Sequence, residues 1–194
     1  MNTFWSQEVT VSNITTCCYV PVGAGKPVHR NRPSNGVALH LSGGKRYCFD
    51  TGQTIDVYEN DVIFLPKGSN YHVVSLAPGD CYAINFCLFQ EVPFPPFSVH
   101  LKNVSPIADC FVSATKYWRR KNEGHRMKCF SELYHILYHL KRECRLDDAD
   151  NSRQDLIAPA LKYIQDNYTS EVISVSALAQ LCGISEVYLR RLFN

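Results

Sequence analysis

Val175-Ser-Ala-Leu-Ala-Gln-Leu-Cys-Gly-Ile-Ser-Glu-Val-Tyr-Leu-Arg-Arg-Leu-Phe-Asn194 reads as two short helices joined by a tight turn. Leu178, Ile184, Leu189 and Leu192 fall at the spacing of a shared core, and Ala179 is small enough for the helices to approach closely. Gly183 suits the turn, because glycine enters the left-handed region freely. Ser174 and Ser185 stand where each helix needs an N-cap oxygen. Ile173 and Leu178 fit the two ends of a hydrophobic staple. The pattern is a helix-turn-helix, and its second helix is the candidate to enter a DNA groove.

Working back from that motif, Leu156–Asn167 patterns as a helix with Leu156, Ala160, Tyr163 and Ile164 inward and Pro159 in its first turn. Residues 146–155 are polar and poorly periodic, as expected of a linker. Before it, Met127, Phe130, Leu133, Tyr134, Leu137, Leu140 and Cys144 recur at steps of three and four, an apolar stripe on a helix over 126–144. Gly124 separates this helix from another over 105–121. Residues 8–91 read as many short strands with regular turns, which points to a closed barrel or a sandwich. Pro93, Pro95 and Pro96 end the strand region. The expected class is mixed α+β: a β-barrel or jelly roll, a helical hairpin, then a small all-α helix-turn-helix segment. The expected division is 1–145, a linker at 146–155, and 156–194.

A chain of 194 residues is long enough for a real core plus a small appendage. Its formal charge of +2 neither favours nor excludes nucleic acid. The N-terminus lacks the pattern of a secretory signal, and no stretch is apolar enough to span a membrane, so the expected compartment is the cytoplasm. Nine cysteines, an odd number without CxxC spacing, read as reduced thiols that pack as small apolar residues.

The order of these elements resembles the AraC family of transcription regulators. The closest likeness lies in Leu156–Phe193, where Leu-Ala-Gln-Leu-Cys-Gly-Ile-Ser-Glu-Val-Tyr-Leu-Arg-Arg-Leu-Phe is similar to the family's first helix-turn-helix. Asn60-Asp-Val-Ile-Phe-Leu-Pro-Lys-Gly-Ser-Asn-Tyr-His72 is similar to the second motif of cupin barrels, with Asn60 in place of the usual glycine. The resemblance implies a cupin-like effector-binding and dimerisation domain, and promoter DNA as partner of the full-length protein. It places Val187, Arg190 and Arg191 at base-facing positions, where arginine pairs with guanine and valine touches a thymine methyl. Ser185 joins them as a DNA contact. The family carries a second helix-turn-helix beyond the first, so the natural protein is expected to be longer.

In the β region the candidate ligand residues are Trp5, Arg30, Arg32, His40, Tyr47, His72 and Asn85. Arginines near Pro33 can clamp a carboxylate or hydroxyls. Aromatic walls with few polar groups suit a sugar, a small organic acid or a related metabolite. No cofactor, metal or catalytic residue is expected. The first cupin motif would bring His-x-His and a glutamate between about residues 36 and 55, and only His40 is present. His135 and His139 lie one turn apart without the glutamate of a metalloprotease motif. Lys116, Arg119, Arg120, Lys121, Arg126 and Lys128 read as a solvated face. The 126–144 stripe either packs on its own β domain or forms a homodimer. The alternative to a regulator is a stand-alone metabolite-binding barrel acting through protein contacts.

Overall fold

Alternating side chains and frequent turns divide the first hundred residues into antiparallel strands. The computed structural model describes residues 4, 8–23, 27–91, 93–168 and 173–193, with the backbone alone at 145–152, 154 and 155. The strands are β1 (Val11–Val20), β2 (Val28–His29), β3 (Asn35–His40), β4 (Gly44–Phe49), β5 (Thr54–Tyr58), β6 (Asp61–Leu65), β7 (Tyr71–Ala77), β8 (Cys81–Leu88) and β9 (Phe97–His100). Helices α1 (Ser105–Arg120), α2 (His125–Asn167), α3 (Val175–Leu181) and α4 (Glu186–Phe193) follow. The class is mixed α+β, and the chain divides into two compact units, Met1–Glu143 and Cys144–Asn194.

One sheet runs β1-β8-β3-β6-β9 and the other β2-β7-β4-β5. This is the expected cupin-like pair of antiparallel sheets, but the barrel is not closed: the edge strands β5 and β9 are not ladder partners. β9, which the sequence pattern did not reveal, is four residues long and follows Pro95 and Pro96, which have no N–H to extend a ladder. Asn60 takes φ 68°, the conformation expected of the residue that replaces the motif glycine. Beside it, Asp61 accepts from the Tyr58 N–H at 2.7 Å and meets His100 Nδ1 at 2.7 Å. Between the sheets, Tyr47, Phe49, Val57, Ile63, Leu65, Tyr71 and Val73 form a buried cluster.

The apolar face of α2 differs from the expected stripe by a rotation. Cys129, Leu133, Ile136, Leu137 and Leu140 are buried, whereas Met127 is 80% exposed. Cys129 is small enough for α1 to approach, and its thiol donates to the Ala114 carbonyl at 3.4 Å. Tyr134 turns partly outward and its hydroxyl accepts the Val11 N–H at 2.9 Å, satisfying a strand-end donor.

Residues 146–155, read as a linker, are helical. The stretch holds no glycine or proline to stop a helix begun at His125, and polarity alone does not break one. Pro159 therefore lies inside α2 rather than in a first turn. Its ring removes one N–H from the ladder, a cost usually met by kinking or by neighbouring packing.

In the second unit, Ala160, Leu178, Ala179 and Leu189 are buried together, with Ile164, Ile173 and Ile184 packed against them. Leu192 and Leu156 are only half-buried. Ser174 caps α3, its side chain accepting the Ala177 N–H at 3.1 Å. Ser185 caps α4 in the same way through the Tyr188 N–H at 3.2 Å. Gly183 sits at φ 64° with open space where a Cβ would stand. Gly183→Ala is thus expected to cost about 1 kcal/mol through backbone strain alone, and Gly183→Asn less. Urea midpoints of the three proteins check this; equal midpoints would mean that the turn does not need a positive φ.

Candidate functional site

Strand periodicity determines which side chains meet between the sheets. On β4, Lys45 and Tyr47 point inward; on β7, Tyr71, Val73 and Ser75; on β8, Cys81, Ala83 and Asn85. Together with His29, Arg32 and Leu65 they line a cavity of about 580 Å³. Its opposite wall is made small by Gly36 and Ala38 on β3 and Ala83 on β8. Among the lining residues the formal charges are those of Arg32 and Lys45, and none is a carboxylate.

Arg32 is 7% exposed. Its Nη1 donates to the Tyr71 hydroxyl at 2.7 Å and its Nη2 donates to Asn85 Oδ1. Nε is buried without a partner among the described residues. The guanidinium lies over Gly36, where a Cβ would come 2.2 Å from Nη2. Burial pushes the Tyr71 phenol up, and Arg32 opposes the shift. His29 stacks on Tyr71 with ring centroids 4.7 Å apart, and burial followed by Arg32 pushes its imidazole down. At neutral pH Arg32 is therefore a buried cation beside neutral rings, and Lys45 is the other charge of the lining. Lys45 reaches Cys81 Sγ at 4.0 Å. Asp80, next to Cys81, is already held by Ser42 at 2.5 Å and Tyr19 at 2.7 Å, and those hydrogen bonds keep its carboxyl below the usual range.

Of the residues singled out in the sequence, the structure brings Arg32, Tyr47 and Asn85 to the cavity. His40 is fully buried behind it, with Nε2 at 3.2 Å from the Tyr47 hydroxyl. His72 does not join them: it follows Tyr71 on β7, so alternation turns it to solvent. Arg30 is exposed and paired with Asp50. Trp5 lies outside the described residues. Lys45, His29 and Tyr71 were missed, although for Tyr71 the period-2 pattern that exposes His72 was the available signal.

On α4, Leu189 is 2% exposed and anchors the helix, while Val187 is 79% exposed. Arg190 and Arg191 are exposed on the last turn, Arg190 reaching Glu186 at 3.4 Å. Ser185 is exposed and spends its acceptor on the cap. A helix that presents two cations and a short apolar side chain to solvent can enter a groove of about helical width.

A second cluster was not legible in the sequence. Cys110, Glu132 and His135 bring possible ligand atoms within 4.8 Å of one another. Glu132 already accepts from Lys128 and Ser113, each at 2.7 Å. Burial, then hydrogen bonding to Glu132, pushes the Cys110 thiol up to about 12, so it is a protonated donor rather than a thiolate ligand. Of the basic cluster, Lys128 is paired and Arg126 donates to Asn13 Oδ1 at 2.6 Å. Cys17, Cys18, Cys48, Cys81, Cys87, Cys110, Cys129 and Cys182 are free thiols. Among the described residues, no helix is long and apolar enough to cross a membrane.

No protein-family signature matches the chain, and no curated protein matches it in sequence. Among solved structures, it is similar to the protein YhaK from Escherichia coli, with 15% identity over 44% of this chain and a TM-score of 0.36; the match spans 40% of YhaK. It is similar to the Cnp3 cupin domain of Schizosaccharomyces pombe, with 16% identity over 42% of this chain and 69% of that one, at a TM-score of 0.32. It is also similar to ToxT from Vibrio cholerae, solved with an unsaturated fatty acid bound, with 7% identity over 96% of this chain and 74% of that one, at a TM-score of 0.42. With TM-scores below 0.5, function is read from the residues of this chain.

His40 makes the two-sheet unit sensitive to acid. Burial, then Lys45, pushes its imidazole down to about 4. Between pH 6.5 and 4 the unfolded chain binds the proton that the folded chain refuses, so stability falls as pH falls through that window. His40→Gln keeps a polar partner for Tyr47 and removes the titration. Relative to pH 7, the stability gap between variant and native chain should move in favour of the variant by up to about 3 kcal/mol at pH 4. Urea unfolding at pH 7, 5.5 and 4.5 measures it; parallel profiles would mean that His40 titrates normally.

Proposed function

We propose that the chain is a transcription regulator of the AraC kind, in which the two-sheet unit binds a small metabolite and the helix-turn-helix binds promoter DNA. The observation that carries this reading is the pairing, in one chain, of a cavity between two sheets with a capped helix-turn-helix whose second helix offers Val187, Arg190 and Arg191 to solvent. Val187, Arg190 and Arg191 face base edges, and Ser185 lies at the backbone end of the same helix. The effector is a sugar, an organic acid or a related metabolite. It acts by binding one of two forms of the protein more tightly, which shifts the population competent for DNA. The protein works in the cytoplasm, without catalysis and without a bound metal or cofactor.

Selection from a random duplex pool with the full chain tests the DNA reading. An enriched motif is expected, and Arg190→Ala or Arg191→Ala should each weaken binding to it by about 1–3 kcal/mol while relaxing preference at one position. Enrichment of no motif, or unchanged preference in both variants, would overturn the base-reading role.

The same reading includes a homodimer through the 126–144 part of α2. Met127, Tyr134 and Tyr138 are exposed along one face of that helix, at 80%, 40% and 57%. Sedimentation equilibrium should show a dimer that Met127→Glu weakens at least tenfold, because placing a carboxylate in an apolar interface is costly. A monomeric native chain at micromolar concentration would remove dimerisation from the proposal.

A further inference from the structure

The charge of the cavity narrows the class of its ligand. Arg32 is more than nine-tenths buried, and its two hydrogen-bond partners, Tyr71 and Asn85, are neutral. Among the described residues it makes no salt bridge, and no lining residue is an acid. Buried charges in folded proteins are ordinarily paired, because an isolated one loses hydration without recovering it. A guanidinium has five N–H bonds, and Arg32 directs one each to Tyr71 and Asn85, which leaves donors for a further acceptor. The remaining wall is largely apolar, with Ala38, Leu65, Val73 and Ala83 among its residues and Lys45 as its second cation.

We infer that the ligand is a small organic monocarboxylate whose anionic group pairs with Arg32 and whose apolar body lies between the sheets. This rests on the sensing role proposed above and specifies its ligand. The planar fork of an arginine matches the two oxygens of a carboxylate, and the pair is strong where water is excluded. Tyr71 and Asn85 hold the fork in place. Gly36 leaves the room it lies in, which makes Gly36 a positioning residue for the site. A neutral sugar would leave the buried cation uncompensated.

The experiment is calorimetric titration of the full chain with matched probes: hexanoate against hexanamide and hexanol, benzoate against benzamide, glucose and galactose, and methyl phosphate. Hexanoate or benzoate should bind at least tenfold more tightly than its amide. Arg32→Gln should abolish that preference. If Arg32→Gln fails to fold, Gly36→Ala is the second variant, since its Cβ displaces the guanidinium and leaves the charge in the protein. It should weaken carboxylate binding at least tenfold with the near-ultraviolet circular dichroism unchanged. Equal binding of acid and amide, or unchanged carboxylate binding in a folded variant, overturns the inference. Binding of sugars or of methyl phosphate without carboxylates also overturns it but leaves the sensing role standing. Binding of no probe overturns it and counts against the sensing role as well.

Discussion

Two sheets that share no ladder are held together by what lies between them, and here the two inner faces are unequal. The four-stranded sheet contributes Tyr47, Phe49, Val57, Tyr71 and Val73, and the five-stranded sheet contributes Ile63 and Leu65 on β6 but only Gly36, Ala38 and Ala83 around the cavity. Large side chains fill the space at Phe49 and Tyr71, whose tilted rings lie 5.2 Å apart on neighbouring strands, and leave it open elsewhere. The cavity is therefore a product of residue size at fixed strand spacing rather than of an unusual backbone. Arg32 can occupy one end of it only because Gly36 has no side chain.

The helix-turn-helix was legible because its determinants are local. Ser174, Gly183 and Ser185 act within a turn of their own positions, and the structure gives each the expected part. The stripe on α2 was legible in period but not in phase, since Cys129 and Ile136 are as apolar as Met127 and which of them is buried depends on how close α1 comes. The helical state of residues 146–155 is not legible from their polarity, which marks exposure and does not break a helix as glycine or proline does. Of the cavity, Arg32, Tyr47 and Asn85 were found by residue type. Tyr71 and Lys45 were missed because facing strands far apart in sequence decide which residues meet.

The cysteines fit this account as volume rather than as chemistry. Cys18 and Cys81 line the cavity as small side chains beside alanine and glycine. Burial, reinforced by Cys129, pushes the Cys17 thiol up, and burial does the same for Cys81. Protonated thiols are poor nucleophiles, so a cysteine-rich interior of this kind is chemically quiet.

Gly36 also constrains how this protein can change over generations. A side chain at position 36 evicts the guanidinium from its place beside Asn85, and an anionic replacement at Asn85 would satisfy the cation from within. Positions 32, 36 and 85 are thus one heritable unit: substitutions among them are non-additive, and each is neutral only against a particular state of the other two. A lineage that left this arrangement would pass through intermediates with a stranded charge. Drift at these three sites should then be slow and concerted.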